Sequence, residues 1–95
     1  MAAYVMGFID ITNPEGYKAY AEAVPPTIAA YDGEYLVRGG ALTAMEGESP
    51  APRIAVIRFP TVERAHEWYN SEAYRPVRQL RLDNSEGKLI IVEGV

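Results

Sequence analysis

The chain of 95 residues contains no cysteine and only one histidine, His66. Without thiols it can form no disulfide, iron–sulfur cluster or cysteine nucleophile, and one histidine is too few for an ordinary structural zinc site. We therefore expect no metal and no cofactor, and a reducing cytoplasm is the expected compartment. A haem would find only His66 as a strong axial ligand, which argues against a haem protein.

Long apolar runs and catalytic signatures are also missing. No stretch approaches the 18 apolar residues of a membrane span, so we expect a soluble protein with no membrane partner. Nine Lys and Arg against thirteen Asp and Glu give a formal charge of −4, which disfavours nucleic acid as a partner. The absence of a Gly-rich phosphate loop, a G-x-S-x-G elbow and an H-E-x-x-H pair argues against nucleotide, serine-hydrolase and metalloprotease chemistry.

Four runs of mainly apolar residues predict β-strands. They cover residues 4–11, 34–46, 53–59 and 88–93. The second run is interrupted by Gly39–Gly40, which we interpret as a bulge or a close approach of another group to the backbone. The first run is apolar at nearly every position, so both faces of that strand are expected to be covered.

Apolar residues spaced three and four apart predict helices between the strands. Asn13 caps the first helix, which extends to about Tyr31 and which Pro25–Pro26 should break or kink. Thr61 caps a second helix, and Asn70–Ser71 interrupts it before a further helical segment.

The resulting order of elements is β-α-β-β-α-β. Shifting the first half by 48 residues lays strand 4–11 on residues 52–59 and Asn13 on Thr61, a pattern typical of a split βαβ duplication. We therefore predict a single ferredoxin-like α+β domain over residues 1–95, with an antiparallel four-stranded sheet and helices on one face. The other face is apolar and needs a partner, which predicts a homodimer.

Linked segments across almost the whole chain resemble an uncharacterised, mostly bacterial family of the dimeric α/β barrel superfamily. The segments are Asn13-Pro14-Glu15, Val24-Pro25-Pro26-Thr27, Arg38-Gly39-Gly40, Trp68-Tyr69-Asn70-Ser71 and Val92-Glu93-Gly94. The resemblance implies two ferredoxin-like protomers packed sheet to sheet, each with a ligand-sized cleft between sheet and helices. Relatives with this architecture include cofactor-free monooxygenases, lactone isomerases, dehydratases and haem-dependent enzymes, so the resemblance implies no particular reaction.

Two side chains are candidates for catalysis. Histidine exchanges a proton near neutral pH, so His66 is the default general acid or base. It lies beside the apolar stripe of its helix, and a lone histidine in such a place is more often a surface or boundary residue than a catalyst. Arg38 lies in a predicted strand beside apolar neighbours and needs an acceptor. It either anchors a substrate carboxylate or enolate, with Gly39–Gly40 giving that group room, or forms an ion pair with Asp10 or Glu46.

Aromatic residues on the predicted inner helix faces are candidates for ligand binding, although a place in the core is the favoured interpretation. These residues are Tyr17, Tyr20, Trp68, Tyr69 and Tyr74. A second helical pattern is a basic stripe with a three-residue repeat, which we interpret as a solvated face paired with acidic residues. The stripe consists of Arg75, Arg78 and Arg81.

Two functions are compatible with these residues. The first is a cofactor-independent enzyme, isomerase or monooxygenase-like, acting on a small carboxylate-bearing or aromatic metabolite. The second is a non-catalytic dimer that binds a small ligand or serves as an accessory subunit. Convergence of Arg38 with a tyrosine or histidine on a cavity of roughly 300 Å³ or more favours the enzyme, and a dry slot without titratable groups favours the binding protein.

Overall fold

The computed structural model describes residues 1–95 as one antiparallel four-stranded sheet and three helices. The elements are β1 (Ala3–Ile11), α1 (Pro14–Ala29), β2 (Glu34–Arg38), β3 (Arg53–Phe59), α2 (Val62–Tyr69), α3 (Tyr74–Asn84) and β4 (Ser85–Glu93). The strand order is β2-β3-β1-β4, with all pairs antiparallel. The predicted ferredoxin-like α+β fold is confirmed. No helix has both the length and the apolar character needed to cross a membrane.

Side-chain caps begin the first two helices where the sequence predicts them. The Asn13 side chain accepts a hydrogen bond from the Gly16 N–H at 3.5 Å, and Pro14 occupies the first helical position of α1. The Thr61 hydroxyl accepts from the Arg64 N–H at 3.0 Å at the start of α2. Both predicted caps are therefore confirmed.

The proline pair does not break α1, which runs unbroken to Ala29. Pro25 and Pro26 have no N–H, so two carbonyls one turn earlier lose their helical donors. The next residue, Thr27, donates its hydroxyl proton to the Val24 carbonyl at 2.7 Å and ties this turn together. The helix ends at Ala29, two residues before the predicted end at Tyr31. Asp32, shortly after it, adopts a left-handed conformation with φ of 63°.

The strand β2 is shorter than predicted, because it ends at Arg38 instead of continuing to residue 46. Gly39 has φ of +65°, which turns the chain out of the sheet, and residues 39–52 form no helix or strand. The irregularity in the ladder falls between Tyr35 and Val37, so the bulge predicted at Gly39–Gly40 is misplaced. At the other end of the chain, β4 begins at Ser85, three residues before the predicted start.

Alternation along the strands separates a helix-facing side of the sheet from an open side. Ala3, Val5 and Ile9 of β1 are buried beneath the helices. The core combines them with residues from α1, α2, α3 and β3. These are Tyr17, Tyr20, Val24, Ile28, Ile57, Phe59, Ala65, Trp68 and Tyr74.

The opposite side of the sheet, which we term the open face, is also apolar. Its centre is Met6 of β1, paired with Val56 of β3 and Ile90 of β4. The surrounding side chains are Tyr4, Phe8, Ile54 and Val92. No helix covers this side, and Ile90 is 43 % exposed. Apolar residues on both faces of the strands, as predicted, are thus present.

Candidate functional site

A cavity lies between the helix-facing side of the sheet and α1. Gly7 of β1 pairs with Ala55 of β3 there, and their small size leaves space beneath Val24 and Trp68. The centre of a water molecule can reach about 20 Å³ of the cavity. Together with its open mouth, the cavity contains about 450 Å³ of space that no atom occupies. The enclosed part therefore has room for about one water molecule.

Three arginines line this space, which we term the arginine cavity: Arg38 of β2, Arg53 of β3 and Arg81 of α3. Arg38 pairs with Ala55, and Arg53 lies two residues before Ala55 on the same face of the sheet. Their Cα atoms are therefore diagonal neighbours, about 7 to 8 Å apart. Arg81 enters from the helix layer and is only 6 % exposed.

No aspartate or glutamate lines the arginine cavity. The three ion pairs of the chain involve only Arg58 and Arg64, at the surface. The Nε atoms of Arg53 and Arg81 are buried and have no hydrogen-bond partner. Since burying a charged donor without an acceptor is costly, the cavity is an electropositive site with unsatisfied donors.

Arg38 supplies a hydrogen-bond donor that a proline removes from α1. Its Nη2 donates to the carbonyl of Ala21, the group that lacks a helical donor because residue 25 is proline. Its guanidinium also lies over the ring of Tyr35, 4.8 Å from the centroid. These contacts place Arg38 at the cavity mouth, where its side chain remains largely exposed.

The ion pair considered for Arg38 with Asp10 or Glu46 is absent, because both carboxylates are exposed and neither approaches it. Asp10 belongs to the alternate residues of β1 that point away from the helices, and Glu46 lies in the segment after β2. Gly39–Gly40 was expected to give room to a substrate carboxylate or enolate, but the group that packs against Gly39 belongs to the protein. A Cβ on Gly39 would clash with the guanidinium of Arg53, so this glycine makes room for an arginine.

Phenol groups add neutral hydrogen-bond donors to the cavity. Burial raises the pKa of Tyr35 to about 12. Burial, and next the neighbouring Tyr74, raises the pKa of Tyr20 well above its ordinary value. The hydroxyl oxygens of Tyr20 and Tyr74 lie 3.0 Å apart, within hydrogen-bond distance. At neutral pH Tyr20 and Tyr35 keep their protons and can donate to an anion.

The five aromatic candidates are all fully or partly buried, but only three of them reach the cavity. Tyr17, Tyr20 and Trp68 line it. Tyr74 lies behind them in the core, with its ring centroid 4.1 Å from that of Trp68. Tyr69 is half-buried beside a separate groove at the end of α2.

His66 is placed apart from Arg38. It is exposed on α2 and borders that separate groove, an open space of about 480 Å³ that also includes Asn70. Trp68 and Leu89 border both the groove and the arginine cavity. The two catalytic candidates are therefore not brought together in one space.

The prediction of a solvated basic stripe is wrong for its last member, Arg81, which is buried. Arg75 is exposed, Arg78 lies over the Tyr69 ring, and none of the three pairs with an acidic side chain. A step of three residues turns about 300° around a helix, so the stripe falls roughly 60° behind at each step. Arg81 instead follows Tyr74 by two turns and shares its buried face.

The sequence interpretation did not identify Arg53 or Tyr35 as site residues. A signal for Arg53 is present, because it alternates with Ala55 and Ile57 and so shares the helix-facing side of β3. No group of three or more histidine, aspartate or glutamate residues is arranged to hold a metal ion.

A Tyr20→Phe variant tests the buried phenol pair. The unfolded chain loses tyrosine protons near pH 10, whereas the raised pKa of Tyr20 keeps its proton in the folded chain. Above about pH 10 the folded state therefore binds more protons, and the free energy of unfolding falls as the pH rises. Tyr20→Phe should flatten that decline, while lowering stability at pH 7 by about 1 kcal/mol through loss of one hydrogen bond.

Urea unfolding across this alkaline range measures the effect. Tyr31→Phe is the matched control, since Tyr31 does not line the cavity. An alkaline decline of the same slope in Tyr20→Phe and the parent protein contradicts the assignment.

Comparison with known proteins places the chain in a structural group. A family model described as a domain of unknown function, DUF1330, matches residues 2–95. No functionally curated protein matches the chain. A protein of unknown function from Rhodopseudomonas palustris has a similar structure, with a TM-score of 0.78, 15 % identity, and coverage of 99 % of this chain and 82 % of that chain.

More distant structures share the fold. Rv0793 from Mycobacterium tuberculosis aligns with a TM-score of 0.59 and 10 % identity, covering 100 % of this chain and 96 % of that chain. A putative antibiotic biosynthesis monooxygenase from Nitrosomonas europaea aligns with a TM-score of 0.54 and 16 % identity, covering 98 % and 90 %. At such low identity these likenesses support the fold and leave the reaction open.

Proposed function

Because the chain belongs to the family described as a domain of unknown function, DUF1330, we propose a function from the site itself: it binds a small carboxylate-bearing metabolite in the arginine cavity. The observation that carries this proposal is the convergence of Arg38, Arg53 and Arg81 on an apolar, aromatic space without an acidic residue. A guanidinium presents paired donors that match the two oxygens of a carboxylate. The surrounding rings suit an apolar or aromatic body attached to that carboxylate.

Binding requires the cavity to open, because its enclosed part has room for about one water molecule. Arg38 is the side chain best placed to move. It is largely exposed, and its only hydrogen bond to the protein is to the Ala21 carbonyl. A ligand carboxylate can replace that carbonyl as acceptor, so we expect Arg38 to swing from the helix onto the ligand.

The second candidate is a cofactor-independent enzyme, isomerase or monooxygenase-like. Neutral phenols and guanidinium groups would stabilise an enolate or another anion as its charge develops. The fold is shared with a structure titled putative antibiotic biosynthesis monooxygenase. The cavity contains no carboxylate or histidine to act as a base, and His66 would have to act from the neighbouring groove. Ligand binding is therefore the function that the geometry favours.

The open face supports a homodimer as the working form. A monomer would expose Met6, Val56 and Ile90 at the centre of a mainly apolar face that also carries Arg58 and Lys88, and soluble monomers rarely expose large apolar patches. Packing the open faces of two copies together covers both and leaves each arginine cavity on the outer side. The lack of cysteine fits a cytoplasmic location for this dimer.

Titration with benzoate tests the binding function, and neutral benzamide is the probe of matched shape. Trp68 is the only tryptophan and lines the arginine cavity, so its fluorescence reports occupancy. We expect benzoate to bind in the millimolar range, about −4 kcal/mol, and benzamide to bind at least tenfold more weakly. Arg38→Met should abolish benzoate binding while lowering stability by only about 1 kcal/mol, because Arg38 is exposed, pairs with no acid and makes one hydrogen bond, to the Ala21 carbonyl.

The matched control is Arg75→Met, which removes an exposed arginine outside the cavity and should bind benzoate like the parent protein. Equal affinity for benzoate and benzamide, or no fluorescence change with either, overturns the proposal. A large loss of stability in Arg38→Met would assign Arg38 to the scaffold.

A further inference from the structure

The arginine cavity has two separate sources of positive charge. Arg38 and Arg53 rise from neighbouring strands of the sheet, and Arg81 enters from α3 in the helix layer. Each of the two sheet arginines also lies against a tyrosine ring, because the guanidinium of Arg38 lies over Tyr35 and that of Arg53 lies 5.5 Å from the centroid of Tyr17. The cavity is thus charged from both of the layers that enclose it.

Arg81 is the arginine that most requires an acceptor. Its residue exposure is 6 %, its Nε has no hydrogen-bond partner, and no carboxylate pairs with it. An apolar residue at this position of α3 would pack between the same aromatic neighbours without the cost of burying a charge. The core supplies Arg81 with the neutral hydroxyl of Tyr74 as a hydrogen-bond partner. That partner leaves the positive charge of Arg81 unpaired, whereas an anionic ligand would pair with it.

Arg53 shows the same deficit on the sheet side. Its Nε is also buried without a partner, and its guanidinium packs against Gly39, where a Cβ would displace it. One carboxylate held by the sheet pair, Arg38 and Arg53, would leave Arg81 unpaired. A monoanion therefore satisfies only part of the site.

Apart from the three arginines and the phenols of Tyr17, Tyr20 and Tyr35, the lining of the cavity is mainly apolar. Gly7, Ala55 and Leu89 line it from the sheet, and Val24 lines it from α1. A ligand that contacts both sets of arginines must therefore carry its charged groups on a short hydrocarbon body. Polar atoms in the middle of the ligand would find no partner among these four residues.

Resting on the proposed function, we infer that the ligand of the arginine cavity is a small dicarboxylate, with one carboxylate on Arg38 and Arg53 and the other on Arg81. The carboxylates pair with guanidinium groups of opposite layers, so binding joins the sheet to α3. Arg81 then determines specificity, because it separates diacids from monoacids of equal length.

Matched pairs of acids test this inference. Succinate is compared with butyrate, and glutarate with pentanoate, by Trp68 fluorescence and by the rise in melting temperature that each ligand causes. We expect each diacid to bind the parent protein at least tenfold more tightly than its monoacid. Arg81→Met should remove this advantage, so that each diacid binds within about twofold of its monoacid.

The outcomes separate the two proposals. If neither acid of a pair binds, the proposed function itself fails. If monoacids bind and diacids bind no more tightly, only the dicarboxylate inference fails, and an unchanged diacid advantage in Arg81→Met also overturns it. If Arg81→Met does not fold, Arg81→Lys is the second variant, because lysine keeps the positive charge without the planar guanidinium. A diacid advantage that falls at least threefold in Arg81→Lys supports the role of the guanidinium. An undiminished diacid advantage contradicts it.

Discussion

Replacing Trp68 by alanine is expected to lower the free energy of unfolding by about 3 to 5 kcal/mol, a large part of the 5 to 15 kcal/mol typical of a small domain. Trp68 is fully buried, and its ring centroid lies 5.4 Å from Phe59 and 4.1 Å from Tyr74. Its indole N–H donates to the Thr27 hydroxyl at 3.1 Å. Alanine removes this packing from the junction of the sheet with all three helices and leaves a cavity.

Chemical unfolding of the parent and variant measures the loss. Leu82→Ala is the control, since Leu82 is 52 % exposed on α3 and its truncation should cost less than about 0.5 kcal/mol. If Trp68→Ala does not fold, Trp68→Phe retains a ring and should show a smaller loss in the same direction. An unchanged unfolding midpoint in Trp68→Ala would show that the indole is not part of the core.

Local signals account for much of the agreement between sequence and structure. The strand over residues 53–59 is predicted at its observed bounds because prolines flank it and its residues are mainly apolar. The second strand is predicted too long because Ala41, Leu42 and Met45 continue an apolar pattern after Gly39. The left-handed conformation of Gly39 ends the ladder there, and apolar composition carries no information on that turn.

The arginine cavity was harder to predict because it depends on contacts between distant parts of the chain. Arg38 was identified from its apolar neighbours, yet its acceptor, the Ala21 carbonyl, is freed by Pro25 of another element. The three-residue spacing groups Arg81 with Arg75, although the two-turn distance of Arg81 from Tyr74 places it on the buried face. Helix periodicity relative to Tyr74 therefore predicts that Arg81 is buried. Alternation along β3 predicts that Arg53 lies on the helix-facing side of the sheet.

The open face gives the second large expected effect: Met6→Lys should raise the dissociation constant of the proposed homodimer at least 100-fold, about 2.8 kcal/mol. Met6 lies at the centre of that face, between Val56 and Ile90. In a dimer packed through the open faces, the lysine would lose water without gaining a carboxylate. In the separated protomer the same ammonium reaches solvent, so the helix-facing core keeps its packing.

Sedimentation equilibrium at micromolar concentrations, with circular dichroism to verify folding, measures this shift. Ala19→Lys is the matched control, because Ala19 is exposed on α1, away from the open face, and a lysine there adds the same charge without entering the interface. A parent protein that sediments as a monomer contradicts the homodimer. A Met6→Lys variant that remains as dimeric as Ala19→Lys would move the interface away from the open face, since a buried, unpaired ammonium at its centre could not be tolerated at so small a cost.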